Sequence, residues 1–382
     1  MVSIPEIERR NLITRQQMQS ESVDALIVCG NQYSGFEGAV RYISGFEIVH
    51  RYVYVLLPLD DDSKLVFPTE ARWIGDKSKT WVKDKVWAPV PGEWLHQYAK
   101  KRKWKRIGVY GLENIMTVSD YRELVKGPYQ LVPFNHQFDM ARAVKSDEEL
   151  TCIRNSMDII VNGFWSLVNA YEPGKTETEI MAPVLQLFAS RSASSRMMNL
   201  ILSGTGGEAD VNFKLPGSRQ VSEDDLMIYS LEITAQEGYW VEFSRPLIRG
   251  KASATTQAMM GIYPEAIEAA RLLMHEGQTT YNVHTTAAQL FARHGSKLGH
   301  LTGHSIGMSM IEHPEISAKI KTKLRENMVI SFHPQVVDKS GTACLYMQDT
   351  YRIGKTEGEC LASIPIKFFR GNETPPIRSK VQ

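Results

Sequence analysis

Two stretches a hundred residues apart constrain this chain more than any other feature. GKTETEIMAPVLQLFA (174–189) overlays GQTTYNVHTTAAQLFA (277–292) at a constant offset of 103, with the glycine, the threonine two residues later and the whole QLFA tail coinciding. Each copy follows a helix-like segment, 145–170 or 255–275, opens a new helix after a glycine turn, and leads into strand-like sequence. The pattern is that of a duplicated helix–helix–strand unit. Two such units facing each other make a sheet cupped by helices, and a ligand site belongs between the halves on the inward strand faces.

The duplication occupies only part of a chain of 382 residues, which exceeds one typical core and suits two domains. Ahead of it, a polar helical segment (Glu6 to Glu21) precedes strand-like DALIVCG (24–30), YVYVLLPL (52–59), KLVFP (64–68) and KRIGVYG (105–111), with the helical WLHQYAKK between the last two. Strands alternating with helices predict an α/β domain with a mixed sheet over residues 1–143. A long helix then opens at KSDEELTCIRNSMDIIVNGFWSLV (145–168), with Ser146 as N-cap and Glu149 completing a capping box. Leu150, Ile153, Met157, Ile160, Val161 and Phe164 recur at helical spacing as its apolar stripe. The second domain runs over 144–370, and 371–382 is a polar tail.

Net charge is +1 with no long basic or acidic block, which argues against nucleic acid and anionic membrane as partners. The longest apolar runs are far too short to span a bilayer, and the charged N-terminus lacks the apolar core of a signal peptide. Four scattered cysteines without a CxxC pair read as reduced thiols of a cytoplasmic protein.

Polar groups concentrate on four strand-like segments. YSLEITAQEGYWVEFSRPL (229–247) reads as two strands around a Gln236-Glu237-Gly238 turn, carrying Glu232 and Glu242. HLTGHSIGMSMIEHP (300–314) holds His300, His304 and His313. VISFHPQV (329–336) reads as one strand with Val329, Ser331, His333 and Gln335 on one face. ACLYMQDTYRIG (343–354) carries Gln348 and Asp349.

In this order, with GHSIG, LRENMVISFHP and EGYWVEFSRP as the specific parts, these segments resemble the pita-bread fold of creatinase, prolidase and aminopeptidase P. The resemblance covers nearly the whole chain and implies a creatinase-type α/β N-terminal domain before a pita-bread domain, an α+β architecture. It also implies a homodimer in which the N-domain of one subunit closes the other's cleft. Peptidases of this family hold two metal ions with two Asp, one His and two Glu. Here those positions fall near Glu232 (one residue short in spacing) and on Glu242, His304, His333 and Gln348. The family's second histidine falls on Ile311, with His313 two residues later.

A set with at most two carboxylates is poorly suited to two divalent ions. The expectation is therefore a creatinase-like hydrolase of a small carboxylate-bearing C–N substrate (amide, amidine or urea-like), without a metal cofactor. His304 and His333 serve as base and acid, and Glu242 orients one of them or activates water. Arg51, in IVHRYVYVLLP, lines up with the arginine that creatinase uses for its substrate carboxylate. Asn212, Glu232, Trp240, His313, Gln348 and Asp349 are the other candidate substrate contacts. Creatinase's own histidine has no counterpart in DVNFKLPGSR (210–219). One alternative keeps a single divalent ion on Glu242, His304 and His333, in a hydrolase or a lyase. Another is an inactive pita-bread module that binds without turnover. His50, His136, His284 and His294 show no partner pattern and receive no role.

Overall fold

The structure is a computed structural model and describes residues 2–75, 79–191 and 196–375. Of the polar tail, 376–382 lie outside the described residues. The chain divides into two compact units, Met1–Glu148 with Gly307–His313, and Glu149–Ile306 with Pro314–Gln382.

The first unit comprises α1 (Ile4–Ser20), β1 (Ala25–Asn31), α2 (Gly38–Ser44), β2 (Tyr52–Pro58), β3 (Lys64–Pro68), α3 (Arg72–Gly75), β4 (Asp84–Ala88), α4 (Pro91–Arg102), β5 (Arg106–Tyr110), α5 (Val118–Leu124), β6 (Gln130–Pro133) and α6 (Asn135–Arg142). Its six strands form a mixed sheet in the order β4-β3-β2-β1-β5-β6. β1 runs antiparallel to β2 and parallel to β5, as helical crossovers beside hairpins require. The central strands are apolar on both faces and buried. The basic run at 100–103 is the last turn and C-cap of α4, with Arg102 paired to Asp60 and Asp61. Segment 307–313 is held in this unit by a buried ion network: Glu312 meets Arg142 at 3.0 Å and Lys145 at 3.1 Å, and Arg142 meets Asp139 at 2.7 Å.

The second unit follows with α7 (Asp147–Ala170), α8 (Glu177–Ser190), β7 (Met197–Gly204), β8 (Leu226–Thr234), β9 (Trp240–Phe243), β10 (Pro246–Leu247), α9 (Ala254–Arg271), α10 (Thr280–Arg293), β11 (Lys297–Leu298), β12 (Gly303–Ser305), β13 (Glu312–Ile316), β14 (Val329–Phe332), β15 (Gln335–Val337), β16 (Cys344–Tyr346), β17 (Asp349–Arg352) and β18 (Glu359–Cys360). All six residues of the expected α7 stripe are buried, and Phe164 packs edge-on against Phe243 and Phe369 at 5.0 Å each. Glu149 accepts a hydrogen bond from the Tyr239 hydroxyl at 2.9 Å, while a reciprocal capping box closes on Thr176 and Glu179 at the start of α8.

The duplication is real at the level of backbone bonds. Gly174 (φ 92°) and Gly277 (φ 88°) both turn through conformations that suit glycine, and Thr176 and Thr279 cap the helices that follow. The Gly174 amide donates to the Val221 carbonyl at 2.7 Å and the Gly277 amide to that of Leu324 at 3.0 Å, again 103 residues apart. The Thr176–Gln220 bridge has its copy in Thr279–Lys323. β8 and β14 begin at Leu226 and Val329, so the offset carries through to the central strand of each half.

One local expectation fails. Residues 329–336 are not one strand: β14 ends at Phe332 and β15 begins at Gln335, in different sheets. Pro334 has no amide to give a ladder, so the run breaks there. His333 therefore stands at a crossing point rather than mid-strand.

Candidate functional site

Strand pairing builds the site. The β8–β9 hairpin sets Glu232 directly opposite Glu242. Both side chains are buried. β12 sets His304 opposite Ser331 on β14, and the Ser331 hydroxyl donates to Glu242 Oε2. The His333 amide donates to the Thr302 carbonyl at 2.8 Å, fixing the backbone where β14 ends.

His304 Nδ1 lies 3.0 Å from the Ser305 carbonyl, an acceptor that makes Nδ1 the protonated nitrogen and leaves Nε2 with its lone pair. That Nε2 faces Glu242 Oε1 at 3.6 Å, too long for a hydrogen bond. The His304 and His333 rings are 5.1 Å apart between centroids. Glu242, His304 and His333 each offer a ligand atom, and these atoms lie within 4.8 Å of one another. His333 Nδ1 is buried without a hydrogen-bond partner among the described residues.

Gln348 ties the two carboxyls together. Its Nε2 donates to Glu242 Oε2 at 3.1 Å and reaches Glu232 Oε1 at 3.4 Å, and its Oε1 accepts from the Ser230 hydroxyl at 2.7 Å. Ser230 Oγ also lies 2.8 Å from Glu232 Oε1. Burial, and then the charge of Glu242, push the Glu232 carboxyl up to about 8. Burial pushes Glu242 up to about 7, opposed by its bonds from Ser331 and Gln348. Burial, and then His304 and His300, hold His333 well below the ordinary imidazole range. Among the described residues no cationic side chain pairs with these two carboxyls, and burial keeps His333 neutral, the electrostatic condition of a cation-binding cup.

The residues present fit one divalent ion. One carboxylate and two neutral imidazoles suit Zn(II), Fe(II), Mn(II) or Co(II), with positions left for substrate. They do not fit two. Gln348 turns its N–H groups, not its oxygen, toward both carboxyls, so it occupies the second position as a donor rather than a ligand.

Three of the expected contacts are engaged elsewhere within the second unit, and two belong to the first unit. Asp349 alternates to the reverse face and pairs with buried Arg245 at 2.9 Å, so it is structural. Asn212 is exposed and its amide bonds Asp210 at 3.0 Å in a local turn; Phe213 beside it is the one that packs on the site's rings. Trp240 is fully buried on β9 and offers a substrate no open surface. His313 belongs to the first unit, where its amide donates to Asp139 at 3.1 Å and its ring lies 5.6 Å from that of His136. Arg51 is exposed in the turn before β2, at φ 61°, with its amide bonded to Gln32 Oε1 at 2.5 Å.

Four contributors received no role from the sequence: Ser331 and His300, noted only by position, and Ser230 and Tyr346, not noted at all. The His300 ring lies 5.5 Å from that of His333 and 5.9 Å from that of Tyr346, and Phe213 closes the group at 5.0 Å from Tyr346. Their signal was period-two spacing: Ser230 precedes Glu232, and Tyr346 precedes Gln348, by two residues along extended chain.

Comparison with known proteins agrees with this geometry. Residues 151–355 match the model of metallopeptidase family M24, and residues 12–144 match the creatinase/prolidase N-terminal domain. The chain is 24% identical over 229 residues to an Xaa-Pro dipeptidase of Pyrococcus horikoshii, a match spanning 58% of this chain and 65% of that relative. It is 23% identical over 320 residues to the uncharacterized peptidase YqhT of Bacillus subtilis, spanning 82% of this chain and 86% of the relative. Among solved structures, a prolidase from Thermococcus sibiricus superposes with a TM-score of 0.82 at 18% identity, covering 96% of this chain and 99% of that one. The X-Pro aminopeptidase from Thermotoga maritima gives 0.80 at 20% identity, covering 94% and 99%. These structures share the pita-bread fold preceded by a creatinase-like domain.

The match to a metallopeptidase family, together with the Glu242–His304–His333 cluster, overturns the expectation of a metal-independent acid–base site. His333, held neutral by burial, is a poor proton donor, and its ligand atoms converge with those of Glu242 and His304.

Proposed function

The chain belongs to metallopeptidase family M24, and on that premise we propose that it is a hydrolase of a C–N bond in a small carboxylate-bearing substrate, using one divalent ion held by Glu242, His304 and His333. The observation that carries this reading is the buried convergence of those three donors, with His333 Nδ1 making no hydrogen bond among the described residues. When bound, such an ion supplies Lewis-acid polarisation of a carbonyl and a nucleophile at neutral pH.

The chain's own residues supply the rest. Ser331 and Gln348 hold the Glu242 carboxylate in place by donating to Oε2, which leaves Oε1 facing His304. Ser305 fixes the His304 tautomer. Glu232, held high enough to carry a proton near neutrality, is placed beside Glu242 to give a proton to a leaving nitrogen. The rings of His300, Tyr346 and Phe213 form an aromatic wall against His333. The names of the Pyrococcus relatives support Xaa-Pro dipeptides as the first substrates to try.

The proposal extends to a cytoplasmic homodimer in which Arg51 of one copy meets the substrate carboxylate of the other. Four free cysteines agree with the compartment, and the exposed Arg51 on a pinned backbone agrees with the role. Light scattering gives the oligomeric state, and R51A raises KM with little change in kcat if the assignment holds.

The test is metal analysis and turnover on one sample. Purified protein is stripped, reloaded with Mn(II), Zn(II), Co(II) or Fe(II), and assayed against Xaa-Pro dipeptides and small amides. About one ion per chain, with turnover depending on it, supports the reading. Two tightly held ions overturn the single-ion site, and saturable binding without turnover makes the protein a binding module.

A further inference from the structure

His284 lies on α10 and has no part in the site described above. Its Nδ1 is 2.6 Å from the hydroxyl of Thr302, a residue with no exposed surface. Thr302 stands two residues before His304, and its carbonyl accepts the His333 amide at 2.8 Å. One threonine is thus joined to both ligand histidines, by chain to one and by hydrogen bond to the other.

The internal duplication provides a control within the same molecule. The helix offset of 103 places His284 over Met181 on α8. The ladder of β7 with β8 pairs Leu200 with Ser230 and Leu202 with Ile228, as Thr302 meets His333 and His304 meets Ser331 in the second half. Where the second half has His284, Thr302, His304 and His333, the first has Met181, Leu200, Leu202 and Ser230. At the positions of His284 and Thr302, the half without the candidate ligand histidines carries Met181 and Leu200, whose side chains cannot form this hydrogen bond, so the bond belongs to the half that carries the candidate ligands.

Resting on the single-ion reading, we infer that His284 is a positioning residue: through Thr302 it fixes the backbone that aims His304 and His333 at a common point. The χ1 of a β-branched residue has few alternatives once its hydroxyl is held from the helix. The Thr302 peptide is then held against rotation, and with it the acceptor for the His333 amide.

Two measurements test this. In metal-free protein, H284A and T302V each speed exchange of the His333 amide by on the order of tenfold. In the Co(II)-loaded protein, each weakens ion affinity ~10-fold, the lower end of what outer-shell partners contribute, and shifts the visible ligand-field spectrum. H284N, whose amide reaches about as far as Nδ1, restores both. The double variant H284A/T302V is no worse than the worse single one. Unchanged exchange and affinity in H284A overturn the inference, as does faster exchange with affinity unchanged. A loss that H284N does not restore marks helix packing and overturns it too. A parent protein that takes up no Co(II) removes the single-ion reading instead, and the His333 amide still decides whether the link from His284 exists.

Discussion

The two halves of the second unit share a backbone and divide the chemistry. Both open a helix with a glycine at φ near 90° and a threonine cap, and both send the same amides to the same carbonyls 103 residues on. Yet the first half contributes Glu232, Glu242 and Ser230, and the second contributes His304, His333 and Gln348. Backbone hydrogen bonds must be satisfied in each half or the fold fails. Inward side chains answer only to one another, so the halves diverged there. The site is consequently a joint product: acid from one side, imidazole from the other, and an amide between.

The sharpest way to break that division is to remove one donor from each half. E242A and H333A should each lower divalent-ion affinity by ~100-fold or more, beyond the 10–100-fold typical of supporting residues, and abolish turnover, read by titration calorimetry and assay. Equal losses make the ion site shared; a loss from H333A alone would assign it to the second half.

The next effect depends on pH. Burial raises both Glu232 and Glu242 above the ordinary 4.5, so these two carboxyls hold more protons in the folded chain than in the unfolded one up to about 8, while His284, His300 and His333, pushed below 6.5, work in the opposite direction below that value. Metal-free protein should therefore lose stability as pH rises from 6.5 to about 8, where only the carboxyl pair titrates among these groups, while ion affinity grows over the same rise because the ligand form is deprotonated. Denaturant melts across that window, with chelator and with metal, measure both slopes; stability rising with pH in the chelated protein would contradict the carboxyl pair.

Q348L removes the amide that joins the halves. It should destabilise the metal-free protein by about 1–3 kcal/mol at pH 8.5 and by less at pH 5, where protonated carboxyls need the donor less. The smallest effects should be matched across the repeat. G174A and G277A meet no atoms within 4 Å, so each should lose about 1–2 kcal/mol from backbone strain alone, and T176A and T279A about 1 kcal/mol each. Unequal losses within a pair, in chemical denaturation, would show that one half carries more of the stability.

Much of this was legible in order. Caps, glycine turns and the buried α7 stripe are local signals, and the repeat is visible as a fixed offset in the letters. His304, Glu242, Glu232, Gln348 and His333 could be picked out because a resemblance supplied their positions. Asp349 and Asn212 could not be sorted from them. Gln348 and Asp349 are adjacent in sequence, and only the pairing partner decides that the first faces the carboxyls while the second meets Arg245. The surroundings of His313 were not legible either: segment 307–313 belongs with the first unit, held by Glu312, Arg142 and Lys145 from distant positions in the chain. No membrane-crossing helix occurs among the described residues, as the short apolar runs implied.

By itself the sequence determined where helices begin, where the backbone must turn, and that two similar units would share one sheet-and-helix plan, because those choices are settled within a few residues. Tertiary structure decided what the inward groups do. Whether a glutamate beside a glutamine is a base, a ligand or a proton store depends on desolvation and on which neighbours arrive from a hundred residues away. Those are long-range electrostatic facts that no local pattern encodes.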